Sequence, residues 1–150
     1  MKAVRNAAWI LLLAWVPVPA SAQEGLNGSA RAVQRALAER DWGGVREWLR
    51  PDGVLLHLHD ETHSGLAPGQ ALAALRDFFD AHEAGGMRSG RVAATEGDPG
   101  RGFAEMEWDT VVLGTSEAVR YRLFTSLVWD EGRWWIDELR VLPRAGRGRV

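Results

Sequence analysis

The 150-residue chain contains no cysteine. Disulfide bonds are therefore excluded, as is a lipid anchor attached through a cysteine at a cleavage point, and the fold must rest on packing alone. Long hydrophobic runs are also lacking: Ala7 to Val16 is apolar but covers ten residues, too few to span a bilayer. Basic charge is not in excess, with 18 Lys and Arg against 20 Asp and Glu. That balance argues against a nucleic-acid partner. No internal repeat, low-complexity tract or catalytic signature occurs, and the only tyrosine is Tyr121. The length leaves room for one domain with one core.

The N-terminus reads as a secretory signal. Lys2 and Arg5 supply a positive start, Ala7 to Val16 the apolar stretch, and Ala20-Ser21-Ala22 a small-x-small cleavage site. Cleavage after Ala22 predicts a protein exported to the periplasm or beyond, with no membrane span. Residues 23–28 then read as a linker and 29–142 as the domain. The arginines and glycines of 143–150, with Arg144, Arg147 and Arg149, read as a loose basic tail.

Within the domain, Ser29 is positioned to cap a helix whose Val33, Ala36, Leu37 and Arg40 share one face. A second helical face, Trp42, Val45, Trp48 and Leu49, runs to Pro51, with the break between the two expected at Gly43-Gly44. Val54 to His59 alternates as a strand. A further helix opens at Pro68 and runs toward Gly85-Gly86, burying Leu72, Leu75, Phe79 and His82. The remainder is strand, at about 87–96, 102–113, 118–129 and 133–142, with turns at Asp98-Pro99-Gly100, Gly114-Thr115 and Asp130-Glu131-Gly132. Helices followed by an antiparallel meander predict an α+β fold, with the helices packed on one face of a strongly curved sheet.

Side-chain alternation assigns the faces of that sheet. Ala104, Met106, Trp108, Thr110 and Val112 are expected to face the helices, as are Val119, Tyr121, Leu123, Thr125, Leu127 and Trp129. Glu105, Glu107 and Asp109 then meet Arg120 and Arg122 on the outer face. A three-residue turn ending on Gly132 pairs Trp129 with Arg133 and sends Trp135, Asp137, Leu139 and Val141 inward. Phe103, Phe124, Val128, Trp134 and Ile136 remain outside, an apolar patch that predicts a homodimer through the convex sheet face.

The closing pattern WDEGRWWIDELRVL, with the preceding helix PGQALAALRDFFDAH and the order of elements, resembles the nuclear-transport-factor-two-like superfamily. Within it the chain is similar to an exported bacterial family of unknown function. The resemblance covers residues 29 to 142 and implies a cone whose mouth opens between helices and sheet. It also implies a scaffold used by enzymes, carriers and dimerisation modules alike, so that fold does not fix function. The superfamily's steroid isomerases use a first-helix tyrosine with two carboxylates, a set that does not transfer to Tyr121 on a late strand.

Two functional readings follow. In the first, an exported non-enzymatic domain binds a small apolar ligand or a protein partner through Trp108, Tyr121, Thr125 and Asp137, the inward residues that combine aromatic surface with polar handles. In the second, a polyketide-cyclase- or isomerase-type enzyme uses Asp137 as a desolvated acid/base. His57, His59, Asp60, Glu61 and His63 have a spacing that permits a zinc-like ligand set but does not diagnose one. They read as solvent-facing polar residues, and no metal or cofactor is assigned. Export has a direct test: N-terminal sequencing of the product recovered outside the cytoplasm should begin at Gln23, and a product beginning at Met1 would refute it.

Overall fold

The computed structural model describes residues 20–144. Residues 1–19 of the leader read at 1–22, and Arg147 and Arg149 of the tail, lie outside the described residues. The elements run α1 (Ala20–Ala38), α2 (Trp42–Arg46), β1 (Val54–Leu58), β2 (Glu61–Leu66), α3 (Pro68–Asp80), β3 (Gly86–Thr95), β4 (Asp98–Val111), β5 (Ala118–Asp130) and β6 (Arg133–Pro143). They form the expected α+β arrangement of helices on a curved, unclosed sheet of strand order β2-β1-β6-β5-β4-β3. Every neighbouring pair is antiparallel except β1 with β6.

Helix α1 lies against β3, β4 and β6 through the stripe Leu26, Ala30, Val33 and Leu37, all buried. Residues 23–28, expected as a linker, belong to this helix, and Ser29 is not its cap. The reason is a seat on the sheet: the Leu26 side chain rests where a Cβ on Gly102 would come within 2.7 Å of it. The helix ends at Ala38, Arg40 in the turn after it takes a left-handed φ of 54°, and Asp41 caps α2 by accepting the Gly44 N–H at 3.0 Å. Gly43 and Gly44 therefore sit inside α2 rather than breaking the chain. A Cβ on Gly44 would fall 2.5 Å from the Asp41 carboxylate, so the missing side chain makes room for the cap.

The strand β2 was not legible in the sequence. Its segment, Glu-Thr-His-Ser-Gly-Leu, buries none of its side chains and forms the edge of the sheet, where apolar alternation is not required. Its partner β1 buries Val54, Leu56 and Leu58 and is the parallel link to β6.

In the meander, Ala104, Met106, Trp108 and Thr110 of β4 and Tyr121, Leu123, Thr125 and Leu127 of β5 are buried as expected, while Arg120 and Arg122 lie outside. Glu107 pairs with Arg122 and Asp109 with Arg120 across the ladder. The Arg120 guanidinium, bonded to Asp109, holds that carboxyl below the usual carboxylate range. Arg88 joins both acids at 3.1 and 3.0 Å, and Arg144 reaches Glu107, so Arg144 belongs to the sheet and not to a loose tail.

The last hairpin differs from expectation. Glu131 and Gly132 have φ of 49° and 80°, the signature of a two-residue type I′ turn, and Asp130 pairs with Arg133 to close it. Trp134 then faces Trp129, so Trp134 and Ile136 are buried and Trp135 lies outside. Left uncorrected, this slip would have turned Leu139 and Val141 outward. A bulge prevents it: Ile136 pairs with Leu127 and Glu138 with Ser126, leaving Asp137 as the extra residue.

Asp137 therefore points to the outer side, bonded to Arg101 at 3.1 Å. The convex patch loses Trp134 and Ile136 to the core. Of what remains, Phe103 stacks on Phe124 beneath Arg91; Trp135, turned outward by the shorter turn, lies under Arg133, 3.9 Å from its ring centroid. These aromatics carry their own guanidinium covers. Because Glu131 occupies a conformation that costs an ordinary residue roughly 1 kcal/mol, Glu131→Asn should stabilise the fold by about 0.5 to 1 kcal/mol. Chemical denaturation measures this, and a stability unchanged or lowered would argue against the type I′ turn.

Candidate functional site

Helix α3 carries residues toward a cleft because its periodicity is regular from the first turn. Pro68 occupies its first turn, where no backbone donor is needed, and the Gln70 side chain accepts the Ala67 N–H at 3.2 Å. Leu75 and Phe79 enter the core, while Ala74, Phe78 and Ala81 lie one face over. Opposite them stands the β1–β2 turn, where His59 takes a left-handed φ of 57° and is pinned by its N–H on Val141 O at 2.8 Å. That conformation takes His59 off the strand face it was expected to share with His57. Its ring instead stands 6.4 Å from Tyr121.

Between α3 and this turn lies a cleft of about 510 Å³. Its base is formed by Phe78, His82 and Tyr121, and its walls carry Asp60, Glu61 and Asp77. Phe78 and Tyr121 meet edge to face, with ring centroids 5.5 Å apart. His82, 7% exposed, places Nδ1 2.8 Å from Phe78 O and Nε2 3.0 Å from the Tyr121 hydroxyl. A carbonyl can only accept, so Nδ1 carries a proton. In the neutral imidazole Nε2 is then the acceptor, and Tyr121 donates its O–H to it. Burial pushes the Tyr121 phenol up from its ordinary value, and the negative charge of Glu117 adds to the effect.

Of the four residues expected to bind a ligand, only Tyr121 lines this cleft. Trp108 is core: it stacks on Phe79 at 4.6 Å and donates its indole N–H to Ala84 O at 2.9 Å. Thr125 is buried in the ladder between Ala104 and Leu139. Asp137, expected to face inward as a desolvated acid/base, sits on the far side of the sheet from this cleft, bonded to Arg101. His82 was read as a core histidine; it is buried, and it also faces the cleft. Phe78 and Asp77 gave no signal of their own. The i, i+4 spacing of Phe78 and His82, set against the inward parity of the single tyrosine, is the pattern from which the group could have been assembled.

The histidines of the β1–β2 hairpin do not converge. His57 Nδ1 is 2.6 Å from Thr62 Oγ1, His63 Nε2 is 3.3 Å from Glu61, and His59 Nδ1 is 3.8 Å from Asp60. Among the described residues, no three His, Asp or Glu side chains come together so as to hold a metal ion, and no helix is long and apolar enough to cross a membrane.

No protein-family model matches the chain, and no curated protein matches it in sequence. Solved structures do match. A DUF4783 family protein from Bacteroides uniformis superposes with a TM-score of 0.63 at 15% identity, over 77% of this chain and 97% of its own. A ketosteroid isomerase-like protein from Erwinia carotovora atroseptica gives 0.65 at 14% identity, over 85% of this chain and 100% of its own. The designed protein "Rd1NTF2_04 with long sheet" gives 0.56 at 19% identity, over 77% and 98%. The chain thus has the nuclear-transport-factor-two-like fold, as the sequence resemblance implied.

The lone tyrosine makes the base of the cleft measurable. Its ionisation, followed by ultraviolet absorbance, should have its midpoint above the ~10 of an exposed phenol. The proton is bound more tightly in the folded state, so this contribution to stability is complete below that value and is lost as pH rises through the folded pKa. Tyr121→Phe should destabilise by about 1 to 3 kcal/mol, because the buried His82 Nε2 loses its partner. A midpoint at or below 10 in the folded protein would contradict the buried hydroxyl.

Proposed function

We propose that this protein is an exported, non-enzymatic binding domain whose ligand is a small, largely apolar molecule held in the cleft between α3 and the β1–β2 turn. The observation that carries the reading is the cleft itself. At about 510 Å³ it falls within the range of roughly 300 to 1,000 Å³ occupied by small-molecule sites. Its base combines the edge-to-face rings of Phe78 and Tyr121 with the buried His82–Tyr121 hydrogen bond. Few convergent polar groups on an apolar base is the form such sites take.

A binding role is favoured over catalysis by the chemistry of the pair. The Tyr121 phenol is held protonated by burial, and its proton is engaged by His82, whose other nitrogen is spent on a backbone carbonyl. No carboxylate orients the imidazole as in an activated acid/base pair. Export rests on the leader residues read in the sequence, and the scaffold is one that hosts carriers as well as enzymes.

Filling the cleft tests the reading. Ala74 lines it and is half-buried, so Ala74→Phe should occupy the space without disturbing the fully buried core. In a fragment screen followed by NMR, aromatic fragments should perturb the signals of Phe78, His82 and Tyr121, with dissociation constants on the order of 1 mM for molecules of this size. Ala74→Phe should weaken them at least about tenfold, which is 1.4 kcal/mol. Fragments that bind elsewhere, or that bind the blocked variant equally well, would exclude this cleft.

A further inference from the structure

The polarity of the cleft points to a ligand class. Among the residues that line it there is no lysine and no arginine, whereas Asp60, Glu61 and Asp77 are all present. The acids do not stand on one element: Asp77 comes from α3, and on the facing wall Asp60 comes from the β1–β2 turn and Glu61 from the start of β2. Asp60 and Glu61 each have a neighbouring histidine, at 3.8 and 3.3 Å.

The second observation is independent of the acids and comes from the base of the cleft. Tyr121, 4% exposed, directs its O–H to His82 Nε2, an orientation fixed from behind by the His82 Nδ1–H on Phe78 O. With its proton engaged, the phenol oxygen offers the cleft only a lone pair. The phenol oxygen at the base and the three carboxylates of the walls are therefore acceptors, against which the lining sets only the imidazoles of His59 and His63 as further donors. A ligand that brings acceptors or negative charge meets only the rings of His59 and His63, each already turned toward a wall carboxylate, and leaving such groups buried unpaired is costly. A ligand that brings N–H donors and positive charge is matched at both levels, and Phe78 and Tyr121 supply aromatic surface for its apolar body and for a cation–π contact.

We infer that the cleft binds an organic cation, an amine or ammonium group on an apolar body, with its N–H donors on the Tyr121 oxygen and its charge between Asp77 and the Asp60-Glu61 turn. This inference deepens the binding reading above and rests on it.

Three probes of one shape separate the possibilities: phenethylamine, 2-phenylethanol and phenylacetate, titrated into the purified protein at neutral pH and followed by NMR chemical shifts. Phenethylamine should bind roughly tenfold more tightly than the alcohol, and phenylacetate more weakly than the alcohol. The amine's advantage should shrink as salt is raised, because the wall carboxylates are partly solvated. Asp77→Asn, an exposed position outside the core, should cost the amine about threefold more than it costs 2-phenylethanol, and an unchanged thermal unfolding midpoint serves as the control for an intact fold. If the alcohol or phenylacetate binds as tightly as the amine, the charge inference is overturned while the binding site stands. If none of the three binds at concentrations near ~10 mM, well above the affinity expected for fragments of this size, the binding reading itself falls, and this inference with it.

Discussion

Asp137 is one residue more than the β5–β6 ladder has places for, and the side on which the last strand presents its apolar residues depends on it. The type I′ turn at Glu131-Gly132 sets Trp134 and Ile136 against the helices. Strand alternation would then carry Glu138 and Arg140 into the core. The bulge resets the alternation, so Leu139 and Val141 pack inward and the charged residues return to solvent. Exposing two fully buried aliphatic side chains would forfeit roughly 1.5 to 3 kcal/mol each, before the cost of burying two charges. An extra residue in a strand is the smaller disturbance. Arg101 meets the displaced carboxylate at 3.1 Å on the outer side.

The same strand holds the functional end of the molecule in place. Because β6 keeps its register through Val141, it pairs in parallel with β1 and accepts the His59 N–H at the turn. That contact fixes one wall of the cleft. The opposite wall is α3, whose inner face is anchored by Phe79 stacked on Trp108, with Trp42 edge-on at 5.3 Å. Aromatic packing beneath the helix thus determines how far Phe78 and His82 stand from the β1–β2 turn, and the cleft is the space left between two independently anchored elements. A base of Tyr121 and His82 in this setting is rigid, since both polar atoms of the imidazole are committed.

Much of this was legible in the residues. The four long strands of the meander fall close to where alternation placed them, and the buried rows of β4 and β5 are those that apolar spacing selected. Opposite charges paired across the ladder as Glu107 with Arg122 and Asp109 with Arg120. The edge strand β2 escaped notice because one row of backbone partners suffices to hold it and none of its side chains is buried. The candidate site was legible only in Tyr121. Asp137 and Trp135 were sent to the wrong side by the turn length, and Trp108 and Thr125 were sent to the right side but into closed packing.

Local and periodic properties were therefore determined by the sequence itself: that α3 is a helix and the four long segments of the meander are strands, which face of β4 and β5 is apolar, and that helices and meander make one α+β core. These follow from backbone geometry and from water's exclusion of apolar surface, and both act within a few residues. Tertiary structure alone decided the turn type at Glu131-Gly132, the bulge that compensates it, and the meeting of His82 with Tyr121 across 39 positions of chain. A choice between two- and three-residue turns differs locally by about a kilocalorie per mole. The burial of Trp134, Ile136, Leu139 and Val141 differs by several times that, so the core selects the turn.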